Sequence, residues 1–299
     1  MKQVFYRIIY QSTVNQVLRR INKLLLPVLP CKIKLPPSGF IQLSDGSGQG
    51  IKLYTNQTNY LTHLVYWEGG ALNFEYTDIF VQLIKKVNSF YDIGANIGYY
   101  SLLAAMGNKQ AKIVGFEPAG GPLHYFRKNV TANGLNQIRI ESLALAEKEG
   151  ELTFFEIKNK KYAYLKHNLA GESNAGSKTS GKNFVKVKVK ASTLDNYVAT
   201  HHDSVDLIKM DTEGTEHLIL GAASNVIETF KPIIICETLF NTIESELETI
   251  MKSHGYQFYN HVPGGLKKVE TIRRKTDDGV RNCFFVHPDR ADLIKSFIV

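Results

Sequence analysis

From Glu75 onward the chain alternates short, nearly continuous apolar runs with helix-length segments, and this alternation limits the fold more than any other feature. Apolar runs bounded by turns and separated by helices indicate parallel strands buried on both faces, with crossover helices covering the sheet. The spacing predicts a helix at Phe80–Val87, a strand at Ser89–Ile93, a helix at Tyr99–Met106 and a strand at Lys112–Phe116. A helix at His124–Asn133, closed by Asn133-Gly134, and a strand at Ile138–Leu143 follow. Glu151–Ile157 and Phe184–Lys190 read as two extra strands around a polar loop, Asn168–Gly181. After a short helix at Thr193–Val198 come a strand at Val205–Met210, a helix around Glu216–Gly221 and a strand at Pro232–Cys236. A helix at Glu244–His254 and strands at Gln257–Tyr259 and Asn282–Val286 complete an α/β pattern with no internal repeat.

The first part of the chain differs. Pro27, Pro30, Pro36 and Pro37 interrupt it, and Phe40–Tyr54 alternates weakly, like a strand pair turning at Gly46–Gly50. We divide the chain into an N-terminal extension of helix and short strands, residues 1–60, and a main domain, residues 61–299. Val14, Val17, Leu18, Ile21, Leu24 and Leu25 follow helical spacing beside Arg19, Arg20 and Lys23. Such an amphipathic helix either docks on the main domain and covers it, the arrangement we prefer, or lies on a membrane surface. No run of 18 apolar residues suggests a spanning helix, and a cleavable signal peptide is not expected. Cys31, Cys236 and Cys283 lack metal-ligand spacing, and the last two sit in apolar runs. Buried thiols in a reducing, cytoplasmic setting are expected, with peripheral membrane contact as the alternative. The net charge of +8 by itself singles out no partner.

Three motifs carry the chemistry. Tyr91-Asp92-Ile93-Gly94-Ala95-Asn96-Ile97-Gly98 straddles the end of the first apolar strand, where open α/β sheets bind ligands. Its glycines permit a sharp turn and close backbone approach to a ligand, or close helix–strand packing. Their spacing is not that of a dinucleotide site, and Asp92 would repel a pyrophosphate but favour an ammonium or sulfonium group. Glu117, in Phe116-Glu117-Pro118, ends the second strand, where a carboxylate can accept hydrogen bonds from both ribose hydroxyls of a nucleoside. The third motif, Ile208-Lys209-Met210-Asp211-Thr212-Glu213-Gly214-Thr215-Glu216, places acids just after the fourth strand.

Together these motifs, with Ile233-Ile234-Ile235-Cys236-Glu237, resemble the FkbM family of methyltransferases over roughly residues 75–254. The resemblance implies a class I methyltransferase fold: a Rossmann-like, seven-stranded sheet whose last strand is antiparallel. It also implies S-adenosyl-L-methionine as methyl donor and O-methylation of sugars, polyketides or related metabolites. On the matching positions, Asp92, Gly94, Asn96 and Gly98, with Ala95 and Tyr99 alongside, would hold the methionine part. Glu117 and Pro118 would meet the ribose, Ser142-Leu143-Ala144 would pass the adenine edge, and Asp211 would touch the ammonium.

An alcohol is a poor nucleophile, and a base that removes its proton as the new bond forms would help. Asp211, Glu213 and His217 are the candidates, with Glu237 facing Asp211 across the cleft. Two such acids could instead hold a divalent cation, although no third ligand can be named. Glu213 and Glu216 could also simply balance a helix dipole. The expected acceptor is a small molecule or glycan. A nucleic-acid methyltransferase is the main rival. The segment after the fourth strand, Asp211-Thr212-Glu213-Gly214, lacks the proline and aromatic wall of base-amine methyltransferases, and its acids would repel phosphate. A non-catalytic, membrane-attached binding module is a further alternative. The Asn168–Gly181 loop and residues 61–74, with Tyr66, Trp67 and Tyr76, are candidate substrate walls, although core packing would explain the aromatics equally well.

Overall fold

The computed structural model describes residues 2–28, 33–44, 50–157, 160–169 and 184–299. Two helices come first, α1 (Lys2–Ile9) and α2 (Ser12–Leu25), the second started by the Gln11 side chain, which accepts from the Val14 amide. The apolar stripe of α2 is present but turned outward: Val14, Val17, Ile21, Leu24 and Leu25 are exposed, while Asn15 and Arg19 are buried. The helix therefore docks on the body by its polar side and leaves its apolar side uncovered. The cause is the irregular segment it meets, whose backbone groups need partners. Asn15 Nδ2 donates to the Pro36 carbonyl and its Oδ1 accepts from the Ser38 amide. Asn22 likewise takes the Leu35 amide, and Arg19 donates to the Phe40 carbonyl.

β1 (Gly39–Ser44) and β2 (Gly50–Thr55) form the expected antiparallel pair, with Gly39 opposite Thr55. The tip of its turn, residues 45–49, lies outside the described residues, as does most of the Asn168–Gly181 loop. α3 (Tyr60–Trp67) is capped by Asn59, and α4 (Thr77–Leu83) leads into β3 (Ser89–Ile93). There follow α5 (Tyr99–Gly107), β4 (Lys112–Phe116), α6 (Gly120–Asn133) and β5 (Ile138–Glu141). Gly134 closes α6 with a φ of 65°, as the Asn-Gly signal predicts. β6 (Ala144–Leu145), β7 (Gly150–Ile157) and β8 (Phe184–Ser192) make a separate three-stranded sheet, with β8 in the middle.

α7 (Leu194–His201) is capped by Thr193 and precedes β9 (Leu207–Met210) and α8 (Glu216–Gly221). α9 (Ser224–Phe230), β10 (Ile233–Glu237) and α10 (Glu244–Ser253) continue the alternation. β11 (Gln257–Val262), β12 (Gly265–Val269), β13 (Asn282–Val286) and α11 (Ala291–Ile294) complete the chain.

The main sheet runs β12-β11-β13-β10-β9-β3-β4-β5. β5, β4, β3, β9 and β10 are parallel, and β13, the last strand, is antiparallel to both its neighbours. The sheet has eight strands where seven were expected, because β12 folds back on β11 with Val262 opposite Gly265. Apolar groups on one face of the sheet pack with α4, α5, α6 and the β1–β2 pair, and those on the other pack with α7 to α10. Cys236 and Cys283 are buried free thiols opposite one another on β10 and β13, and Cys31 lies outside the described residues. Strand order reverses between β3 and β9, which opens a crevice at their carboxyl ends.

Candidate active site

Gly94 leaves β3 with a φ of 72°, and a Cβ built on it would lie 2.0 Å from the Asp211 carbonyl oxygen. At Gly98, φ 84°, a Cβ would fall 2.1 Å from the Phe126 ring. The chain's own packing therefore demands both glycines. Between them Asn96 takes a φ of 51°, held by Asn59 Nδ2 at 3.2 Å from its Oδ1 and by its amide on Glu117 Oε2 at 2.8 Å.

Asp92 does not reach the crevice. It is buried, its Oδ2 accepts from the Ser101 amide and hydroxyl, and its Oδ1 lies 3.6 Å from Lys209 Nζ. Lys209, absent from the sequence-based site, is the hub beneath it. Its ammonium donates to the Gly94 carbonyl at 2.9 Å and stands 3.6 Å from Asp211 Oδ2. Burial works against its charge, but Asp211, Asp92, Glu75 and Glu237 outweigh burial and hold its pKa above the ordinary lysine value. A lysine within an apolar strand was the available signal, since a buried charge demands partners.

Glu117 ends β4 with both oxygens engaged, Oε2 by the Asn96 amide and Oε1 by the Ala119 amide at 2.8 Å. Burial nonetheless pushes its pKa up to about 7. After β9 the chain turns through Glu213, φ 58°, and Gly214, φ 107°. The Glu216 carboxylate holds that turn by accepting from the amides of Thr212 and Gly214 and from the Thr212 hydroxyl. Glu216 is thus a structural clamp, and Glu213 is left to face the crevice. Glu237, at the end of β10, is pushed up to about 8 by burial and then by Asp211, Glu213, Glu216 and Glu75. Glu75, missed by the sequence reading, precedes α4 and keeps solvent exposure although protein crowds its carboxyl. Partial desolvation and Asp211 push it up to about 7, with the Tyr100 hydroxyl 3.4 Å from its Oε2.

The crevice opens into a cavity of about 1340 Å³. Of the residues assigned from sequence, Gly94, Asn96, Glu117, Pro118, Leu143, Ala144, Asp211 and Glu213 line it. Ala95 and Tyr99 are buried, and Ser142 borders a separate shallow depression. Glu237 and His217 are not among the lining residues. Leu152, Phe154, Phe155 and Ile157 of β7, with Tyr162 and Leu165, form an apolar second half that the sequence did not reveal. Of the two roles open to Tyr66 and Trp67, substrate wall or packing, the structure places both in packing that holds the extension: Tyr66 lies under Arg19 at 4.5 Å and Trp67 donates to the Leu35 carbonyl. Tyr76 is core, stacked on Tyr100. Among the described residues no cluster of three or more His, Cys, Asp or Glu is arranged to hold a metal.

These residues suit S-adenosylmethionine. Each Glu117 oxygen accepts one amide and keeps capacity for a ribose hydroxyl. Leu143, Ala144 and Pro118 offer apolar surface for a base, and Asn96 and Asp211 offer oxygens for an ammonium. The cavity also exceeds the roughly 300–1,000 Å³ of a single ligand site, leaving room for an acceptor.

The chain is 26% identical over 197 residues to methyltransferase sdnD of Sordaria araneosa, which covers 55% of this chain and 72% of that one. The crystal structure of methyltransferase FkbM from Methylobacillus flagellatus KT matches with a TM-score of 0.43 and 16% identity over 75% of this chain and 47% of that one. The chain thus spans about half the length of that protein. An S-adenosylmethionine-dependent methyltransferase from Agrobacterium tumefaciens matches with a TM-score of 0.41 and 10% identity over 84% and 71% of the two chains. Fold and site define an S-adenosylmethionine-dependent methyltransferase. Within that class the chain belongs to the FkbM family, whose methyltransferase domain matches residues 92–258.

Proposed function

We propose that the chain methylates a hydroxyl oxygen of a small acceptor, such as a sugar, a glycan or glycolipid headgroup, or a secondary metabolite. The observation that carries this reading is the crowd of acids at the ends of β9 and β10. Asp211 and Glu213 line the cavity, and Glu237 and Glu75 have pKa values raised to about 8 and about 7. When bound, the sulfonium cofactor supplies a methyl group that is already activated. The protein's share is alignment and proton handling. Glu117 and Asn96 fix the donor end. Asp211 or Glu213 takes the proton from the acceptor hydroxyl, and neighbouring Glu237 belongs to a cluster able to hold a proton near neutrality.

Transfer of a labelled methyl group should therefore appear on oxygen when hydroxylated acceptors are screened. Glu213→Gln should lower turnover by about 10²–10⁴-fold with S-adenosylhomocysteine binding retained, and Asp211→Asn should impair both. Transfer to nitrogen alone, or full turnover by both the Glu213 and the Asp211 variants on the true acceptor, would overturn the reading.

A further inference from the structure

The outward-facing stripe of α2 belongs to a larger surface. Ten of the fifteen large apolar side chains that stand exposed among the described residues fall between Val4 and Ile33, including Phe5 and Ile8 on α1 and Val17, Ile21 and Leu24 on α2. Scattered exposed apolar groups are ordinary, but a concentration of this kind marks an interaction surface. At helical spacing, Val14, Val17, Ile21, Leu24 and Leu25 share an arc of about 100°. Asn15, Arg19 and Asn22 point about 140° away from its centre. The bonds of those three to Pro36, Ser38, Phe40 and Leu35 fix the roll of the helix, so the stripe cannot turn inward without losing them.

The charge of the segment selects what covers it. Residues 1–44 contain seven basic side chains and no acidic one, the first acid being Asp45. Lys2, Arg7 and Arg20 are exposed on the two helices, whereas the Lys23 ammonium lies over the Tyr66 ring of the body. A second copy docking about a two-fold axis would bring like charges face to face. An anionic lipid leaflet complements them, and apolar side chains rimmed by basic ones are the signature of a helix seated in the headgroup layer. Among the described residues no helix is long and apolar enough to cross a membrane, so the contact is peripheral. We propose that α1 and α2 form a dock for an anionic bilayer surface, with the apolar stripe at the acyl boundary. The dock adjoins the active site: Gln3 donates to the Lys161 carbonyl, and Tyr6 and Tyr10 pack edge-on against Tyr162, which lines the cavity.

The test is flotation of the full chain with vesicles of phosphatidylcholine containing about 30% phosphatidylserine, beside phosphatidylcholine alone. The chain should float with the anionic vesicles. Val17→Ser/Ile21→Ser/Leu24→Ser should lower binding about tenfold or more, and Lys2→Gln/Arg20→Gln should lower it about fivefold per charge removed. The stabilisation by S-adenosylhomocysteine should be unchanged in both variants, which excludes misfolding as the cause. Three outcomes would overturn the proposal: the full chain fails to float with anionic vesicles, the triple variant floats as well as the parent, or sedimentation reveals a dimer that the triple variant dissolves and vesicles leave intact.

Discussion

Lys209 and Glu117 illustrate how single side chains set up the site from beneath and from the side. The Lys209 ammonium ties the Gly94 carbonyl, Asp92 and Asp211 together, and Asp92 Oδ1 has no hydrogen-bond donor among the described residues. Lys209→Met should therefore leave a buried carboxylate without its counter-charge and cost about 3–5 kcal/mol in urea unfolding; a neutral result would mean that the two bonds from Ser101 suffice to hold Asp92. Glu117 makes a prediction about pH. In the free protein its carboxyl titrates at about 7, so below that pH it is largely protonated. Ribose hydroxyls donate to the ionised form, so the bound state should favour ionisation and lower the pKa. Cofactor affinity should then fall as pH drops below about 7, by at most tenfold per unit, and binding near neutrality should release a proton. Calorimetry of S-adenosylhomocysteine binding in buffers of unequal ionisation enthalpy reads that proton directly. Glu117→Gln should abolish the release and weaken binding by about 1–3 kcal/mol; proton release that persists in the variant would move the effect to another group.

Among elements, those whose signal is local were legible in the sequence. β3, β4 and β13 occupy the expected residues because each is a short, mostly apolar run bounded by polar residues or turns. β12 was not legible, because its support comes from the hairpin partner β11 and from Ile298 and Val299, and its residues read as a basic surface stretch. α9 is a seven-residue helix with β-branched Val226, Ile227 and Thr229, too short for a clear period. The glycine motif marked the crevice, yet the reason for its glycines lay in Asp211 and Phe126, groups distant in sequence. In the same way the stripe of α2 was visible but its direction was not, since direction depends on backbone groups of residues 35–40 that need partners. Asn15 is the residue that decides it. Asn15→Ala would strip the Ser38 amide of its acceptor and the Pro36 carbonyl of a donor, at a cost of about 1–3 kcal/mol. Hydrogen exchange should quicken along α2 and at Ser38 while cofactor affinity is unchanged. Unaltered exchange would mean that other contacts fix the helix.

For the molecule as a whole, the first 60 residues combine two parts with different relations to the rest. The helical pair lies outside, attached through polar bonds and through Tyr6 and Tyr10 packed on Tyr162, and none of the proposed cofactor contacts comes from it. The strand pair lies inside: Ile41, Leu43, Ile51 and Leu53 are each at most 4% exposed and belong to the same core as α5 and α6. Burying four such side chains contributes about 6–12 kcal/mol at about 1.5–3 kcal/mol apiece, comparable with the entire net stability of a typical domain, about 5–15 kcal/mol. β2 also reaches the cofactor turn by a chain of bonds. The Tyr54 amide donates to Asn129 Oδ1, and Asn129 Nδ2 donates to the Ile97 carbonyl between the two glycines. The strand pair thus shares the core of the main domain, and we propose that the functional boundary lies before Gly39. Removal of residues 1–26 should leave a cooperative melt, at a lower temperature, and the full rise in melting temperature on adding S-adenosylhomocysteine. Removal of residues 1–59 should abolish both, because it opens the core and frees the turn. If the shorter deletion folds but no longer binds, the helices are part of the cofactor site. If the longer one folds and binds, Ile41, Leu43, Ile51 and Leu53 contribute far less than their burial implies, and the domain begins where the sequence alone first placed it.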